Sequence, residues 1–239
     1  MSVLLLRLAG PLQSWGSAAR FTRRTTENAP TKSGVIGLLA GAQGRSRESD
    51  LTDLAALRFG VRIDQPGARL RDFHTAHHAD SGKSMPLSER FYLTDAVFVA
   101  GVEGDDLLLD ELYAALRAPH FLPYLGRRSC PPSRPVDMGR PVRGRLEETL
   151  RDARWQASAW YRRRIGRLHD DDRPELDLLL DSPPGRTPDV TIRDAPLSFD
   201  QRHRRYALRG VHATRVAAHP HDPTVGLTPL PTETPPRSA

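Results

Sequence analysis

Short apolar runs of differing period divide this chain into elements. Residues 3–8 (VLLLRL) are apolar except for Arg7, the pattern of a central strand. Gly10 and Pro11 end it, and residues 12–16 (LQSWG) follow as a loop. Over residues 32–43 the apolar positions Val35, Ile36, Leu38, Leu39 and Ala42 fall on one side of a helix. Pro30 sets a turn before it, and Thr31 or Ser33 is placed to cap it. Gly34, Gly37 and Gly41 recur within this helix. Each costs about 1 kcal/mol against alanine in a helix interior. Their recurrence predicts close approach of a sheet or of a ligand backbone. A second short helix is predicted over residues 50–57, capped by Ser49 or Asp50.

Residues 59–64 (FGVRID) alternate as a strand does, and residues 69–78 alternate again while turning polar. Residues 79–86 form a turn-rich tip, and residues 90–102 (RFYLTDAVFVAGV) carry the strongest strand signal in the chain. Together these make a hairpin over about residues 71–94, with a tip too polar to bury. Residues 105–117 are an amphipathic helix with Leu108, Leu109, Leu112, Ala115 and Leu116 on its apolar stripe. Asp105, Asp106 and Asp110 lie near its favourable N-terminal end, and Pro119 stops it. A short strand is predicted over residues 121–125.

The order strand, helix, strand, strand, helix, strand predicts an α+β fold, a ferredoxin-like or RRM-like βαββαβ domain over residues 1–126. Its helices would cover one face of the sheet and leave the other free, the face on which RRM domains bind RNA. Residues 127–218 read as a basic loop followed by a smaller β-rich region, with strands at 175–180 and 206–218 and an acidic turn at 170–172. Residues 146–164 hold a further arginine cluster in helical or extended segments. Residues 219–239 contain six prolines and are expected to be extended or disordered.

The net charge is +6 and the pI about 10.1, which favours a polyanionic partner. Only Lys32 and Lys83 are lysine, so nearly all the 35 basic residues are arginine, suited to bidentate phosphate contacts. Genomic base composition would produce the same bias. The single cysteine, Cys130, excludes an intrachain disulfide and a cysteine zinc site, and fits a reducing cytoplasm. Neither a leader pattern nor an apolar run near 20 residues occurs, so no membrane association is expected.

Two stretches are candidate anion sites. One is the start of the helix at Lys32, with Arg20, Arg23 and Arg24 upstream and the free N–H groups of the first turn. A helix packed on a sheet behind exposed arginines explains the same residues. The other is residues 126–132 (GRRSCPP), where adjacent Arg127 and Arg128 could grip different phosphates beside Ser129. A solvated charge pair is the alternative there. His74, His77, His78 and Asp80 make a poor metal site, because His-x-x-His on a strand points to opposite faces. Among Trp15, Phe21, Phe73, Phe91 and Tyr92, the residues singled out for stacking on bases are Trp15 and Tyr92.

The strings LLLRLAGPLQSWG, FTRRTTENAPTKSGVIGLLAGAQG, RDFHTAHH, RFYLTDAVFVAG and YLGRRSCPPSRPV occur in that order. They resemble the CasD subunits of type I-E CRISPR Cascade, a family of repeat-associated RNA-binding (RAMP) proteins. The likeness runs over residues 3–136 and more loosely to 218. It implies a non-catalytic, cofactor-free subunit that holds the 5′ handle of the CRISPR RNA. Such a subunit caps the CasC backbone, contacts the large subunit CasA, and meets target DNA only indirectly. The RNA-binding residues it implies are Arg20, Arg23, Arg24, Thr31, Lys32, Ser33, Arg71, His74, Arg90, Tyr92, Arg127, Arg128 and Ser129. The hairpin would be a thumb lying across the guide. Relatives in another CRISPR subtype cut repeat RNA without metal, so a metal-independent endoribonuclease is the alternative. In type I-E a separate subunit, CasE, cuts. A free-standing RNA-binding module remains a third reading.

Overall fold

The computed structural model describes residues 1–17, 23–168 and 174–219. Arg20, Phe21, the acidic turn at 170–172 and the tail from 220 lie outside the described residues. In chain order the elements begin with β1 (Ser2–Ala9), β2 (Leu12–Gln13), β3 (Arg23–Arg24), α1 (Lys32–Ala42) and α2 (Thr52–Ala56). Next come β4 (Arg58–Gln65), β5 (Ala68–His74), β6 (Ser88–Thr94), β7 (Val97–Gly104) and α3 (Asp106–Arg117). The last are β8 (Val142–Arg143), α4 (Leu146–Asp152), α5 (Ala159–Leu168), β9 (Glu175–Asp181), β10 (Val190–Ser198) and β11 (Arg205–Ala217).

Alternation along β1 feeds two cores. Leu4, Leu6 and Leu8 pack with Phe98 and Ala100 of β7 against Ile36 and Leu39 of α1 and Leu109 and Leu112 of α3. Val3 and Val99 point the other way, toward Leu146 and Leu150 of α4 and Trp155. Each fully buried side chain of this size contributes about 1.5–3 kcal/mol. The strands form a seven-stranded antiparallel sheet, ordered β10–β11–β9–β4–β7–β1–β8. The C-terminal strands therefore continue the first sheet, through β9 on β4. A second, small sheet has β6 at its centre, with β5 on one edge and β2 and β3 on the other.

The helices at 32–43 and 105–117 form as expected. Thr31 caps α1 by accepting from the Gly34 N–H, and Asp105 caps α3 by accepting from Leu107 and Leu108. The 50–57 helix shortens to α2, whose N-cap Leu51 makes no side-chain cap bond, while Asp50 accepts from the Thr52 N–H.

Four expectations are corrected. Residues 90–102 are not one strand but two, β6 and β7, in different sheets. The break falls at Asp95, with φ 53°, where Gln65 and Gln13 donate to the Asp95 and Ala96 carbonyls and end the ladder. Residues 121–125 form no strand; Phe121 and Leu122 are exposed and Leu125 is buried. The strand beside β1 comes later, as β8, with Arg7 N–H donating to Val136 and Met138 N–H to Leu5 just before it. The 69–78 strand stops at His74.

The largest correction concerns the free face of the sheet. It is covered by α4, whose Leu146 and Leu150 sit on a flat patch made by Gly60 of β4 and Gly101 of β7, paired across the ladder. A Cβ on Gly60 would lie 2.8 Å from Leu150, and one on Gly101 2.8 Å from Leu146. Arg62 locks the arrangement. It is fully buried on the same face and forks onto Asp64 at 2.7 and 3.0 Å. Its remaining donors reach the carbonyls of Leu150, Ala153 and Arg154 at 2.5–2.8 Å, where α4 leaves its last carbonyls without helical partners. RNA cannot reach this face as it does in an RRM. Among the described residues, no helix is long and apolar enough to cross a membrane.

Candidate nucleic-acid interface

The loop over residues 125–130 is built to hold Arg127 inward. Leu125 N–H donates to Cys130 at 2.7 Å, Cys130 N–H to Arg127 at 2.8 Å, and Ser14 N–H to Leu125 at 3.1 Å. Gly126 takes φ +80°, and a Cβ there would fall 1.8 Å from the Ser14 carbonyl oxygen, so only glycine fits. Cys130 is buried, and burial pushes its thiol above the ordinary range, as expected of an inert packing residue. The Arg127 guanidinium donates to the Phe91 carbonyl at 3.1 Å and the Arg24 carbonyl at 2.8 Å, and lies 4.8 Å from the Tyr92 ring centroid. It thus clips the loop to β6 and β3. Arg128 and Ser129 are left exposed on that loop.

Strand register sorts the other candidates onto two faces of the small sheet. Arg24 and Asp72 pair with Arg90, Leu70 with Tyr92, and His74 with Ser88, so these share the face on which Arg127 lies. His74 Nε2 is 2.7 Å from Asp72, and Arg90 Nε is buried without a partner. The opposite face holds Arg23, Arg71, Phe73, Glu89 and Phe91. There Glu89 is shared by Arg71 at 2.5 Å and Arg23 at 3.9 Å. Arg71 lies over Phe73 at 4.7 Å, and Arg23 over Phe91 at 5.4 Å. Asp72 and Glu89 are the members that sequence reasoning left out. Their alternation with the arginines across the hairpin was the signal available for them.

Other candidates point inward. The start of α1 is already occupied by a carboxylate of the same chain. Lys32 N–H donates to Asp194 at 2.7 Å, and the Lys32 ammonium pairs with Asp181 at 3.1 Å. Arg209 bridges both acids at 2.7–2.8 Å. Burial alone would lower the Arg209 guanidinium, but Asp194 and Asp181 raise it above its ordinary value. Thr31 is buried and used as the cap, and half-buried Ser33 leans on it. The expected phosphate site at Thr31, Lys32 and Ser33 is therefore an internal ion network. Trp15 is fully buried, donates to Gln13 at 3.1 Å, and fills the gap left by Gly34, where a Cβ would be 2.7 Å from its ring. It packs the core and cannot stack on a base. Tyr92 is 3% exposed beneath Arg127 and cannot either. Gly37 meets only Phe199 at ordinary distance and Gly41 meets nothing, so Trp15 accounts for Gly34 alone. Among the described residues no three His, Cys, Asp or Glu side chains cluster to hold a metal.

A family model described as CRISPR-associated protein (Cas_Cas5) matches residues 3–212. The CRISPR system Cascade subunit CasD of Escherichia coli (strain K12) is 36% identical over 159 residues, 58% of this chain and 70% of that protein. A chain of a CRISPR RNA-guided surveillance complex superposes with a TM-score of 0.74 at 33% identity, covering 90% of each chain. A crystal structure of a Cas protein gives 0.69 at 38% identity, covering 90% of this chain and 95% of the other.

Proposed function

This chain belongs to the CRISPR-associated Cas5 family, and from that footing we propose that it is a non-catalytic RNA-binding subunit of a Cascade-type surveillance complex in the cytoplasm. It holds the 5′ handle of the CRISPR RNA, caps the CasC backbone and contacts CasA. We read β8–β1–β7–β4 with α1 and α3 as a ferredoxin-like unit, the palm, whose edge strand β8 (Val142–Arg143) carries it past the expected boundary at residue 126. The observation that carries the functional reading is the Arg127 clip. It fastens a loop bearing exposed Arg128 and Ser129 beside exposed Arg24, on the sheet face that also carries Arg90 and His74. Such a face grips a phosphate backbone without reading its sequence.

A handle RNA titrated against the full chain tests this. Each phosphate contact to single-stranded RNA adds about 0.7 to the salt slope. Arg24→Ala with Arg128→Ala should lower the slope by about 1.4 and, at 0.1 M salt, the affinity by roughly 25-fold. Unchanged slope and affinity in a folded variant would remove this face from the site. The same RNA should remain intact with or without magnesium. Site-specific cutting that disappears in His74→Ala would favour the endoribonuclease instead.

The arm formed by β5 and β6 exposes Leu70, Phe73, Met85 and Leu87, which supports a thumb that lies against RNA or a neighbouring subunit. Its tip closes on itself, with His77 bridged to Ser84 and His78 N–H donating to Lys83 at 2.9 Å. Replacing residues 78–83 by Asn-Gly joins that bridge with a two-residue turn. Unfolding free energy should change by no more than about 0.5 kcal/mol. Copurification with a CasC-type subunit should weaken, and undiminished copurification would reduce the arm to a surface excursion.

A further inference from the structure

A cleft of about 780 Å³ opens where β1 ends and β7 begins, on the α4 side of the large sheet. Its volume is of the size that holds a small ligand. Four arginines from four separate segments line it: Arg7 of β1, Arg134, Arg154, and Arg162 of α5. Among the described residues, Asp95 is the only carboxylate that lines it. Arg7 reaches Gln156 and the Pro135 carbonyl only at 3.3 Å, and its Nε is buried with no partner. Burial, then the charge of Arg134, lowers the Arg7 guanidinium below its ordinary value. Gathering like charges at a partly buried place costs free energy that an anion would return.

Trp160 lines the same cleft and is 47% exposed, far more than the core tryptophans. Its ring meets Tyr161 edge-on at 5.8 Å, and Tyr161 meets Trp155 at 6.5 Å, so the indole is braced from below. A braced, open indole beside guanidinium groups suits a base with its phosphate. An acidic peptide would use the arginines but leave the indole idle.

We propose that this cleft is a second nucleotide subsite, which seats a phosphate of single-stranded RNA between Arg7, Arg134 and Arg162 and stacks the adjoining base on Trp160. Its lining shares no residue with the Arg127 clip, and it rests on the reading that the chain binds RNA.

The test uses the full chain and a ten-nucleotide oligouridine carrying 5-iodouridine, a photocrosslinker. Wild-type protein should crosslink at Trp160. Trp160→Ala should weaken binding by about 5- to 150-fold, the equivalent of 1–3 kcal/mol per stacked base, without changing the salt slope. Arg134→Ala with Arg162→Ala should lower the slope by about 0.7, the share of the one phosphate seated there. Binding that falls with Arg24 and Arg128 but ignores all cleft variants overturns the subsite and leaves the handle face standing. Binding that falls only with the cleft variants supports the subsite and removes the handle face. A slope effect without any Trp160 dependence overturns stacking, and so the subsite as stated. Decaglutamate bound at the cleft in place of RNA overturns it in favour of an acidic protein segment. No RNA binding by the wild type overturns both readings.

Discussion

Arg62→Ala should destabilise the protein by about 3–5 kcal/mol, the cost of leaving one member of a buried ion pair alone. Arg62 and Asp64 are both fully buried at the side chain, so solvent cannot replace the lost partner. The change also removes the donors that satisfy the end of α4, and α4 is what covers the second face of the sheet. Urea denaturation should show the loss as a lower midpoint, and an unchanged midpoint would mean the pair is not buried as described. A double variant, Arg62→Ala with Asp64→Ala, should recover part of the loss because no stranded carboxylate remains. The deficit should also depend on pH. Burial already raises the Asp64 carboxyl, against the opposing pull of Arg62 and the Gln156 N–H. Without Arg62 it rises further. A carboxyl raised on folding binds its proton more tightly in the folded state. Its contribution is therefore favourable below the unfolded value and is lost as pH rises through the folded one. The single variant should accordingly lie closer to wild type at about pH 4 than at neutral pH.

Nothing in residues 59–64 (FGVRID) marked Arg62 for this work, because alternation places a strand but not what covers it. The two long helices were legible because their apolar stripes and caps are local. Thr31 and Asp105 each need only a few following residues to act. Features that depend on distant chain were not legible. The carboxylate that fills the start of α1 comes from Asp194, 162 residues away. The break between β6 and β7 is made by Gln13 and Gln65, which look in sequence like ordinary polar residues. The glycines that seat α4 were visible one at a time, but their pairing across β4 and β7 was not. Aromatic residues were read too readily as base platforms. Trp15 is packed against Gly34 and Tyr92 is roofed by Arg127, and neither partner lies nearby in sequence.

The roof over Tyr92 separates two roles that adjacent arginines would otherwise share. Arg127 spends its guanidinium on two carbonyls and one ring inside the protein, while Arg128 faces outward. If Arg127 positions the loop and Arg128 touches phosphate, their variants must differ in kind. Arg127→Lys keeps the charge, but one ammonium cannot reach both carbonyls and stack as a planar guanidinium does. Charge-assisted hydrogen bonds contribute about 1.5–3 kcal/mol each and cation–π contact about 0.5–1, less where water competes and not additively. A net loss of about 2–3 kcal/mol in loop docking is expected, roughly 30- to 150-fold in handle-RNA affinity. Arg127→Ala should fall by a similar factor, and neither change should alter the salt slope. Arg128→Ala should do the reverse, with a smaller loss of affinity and a slope reduced by about 0.7. Titrations of the three variants at four salt concentrations would separate the cases. Full affinity in Arg127→Lys, with a reduced slope in Arg127→Ala, would show Arg127 to be a phosphate ligand and the clip to be incidental.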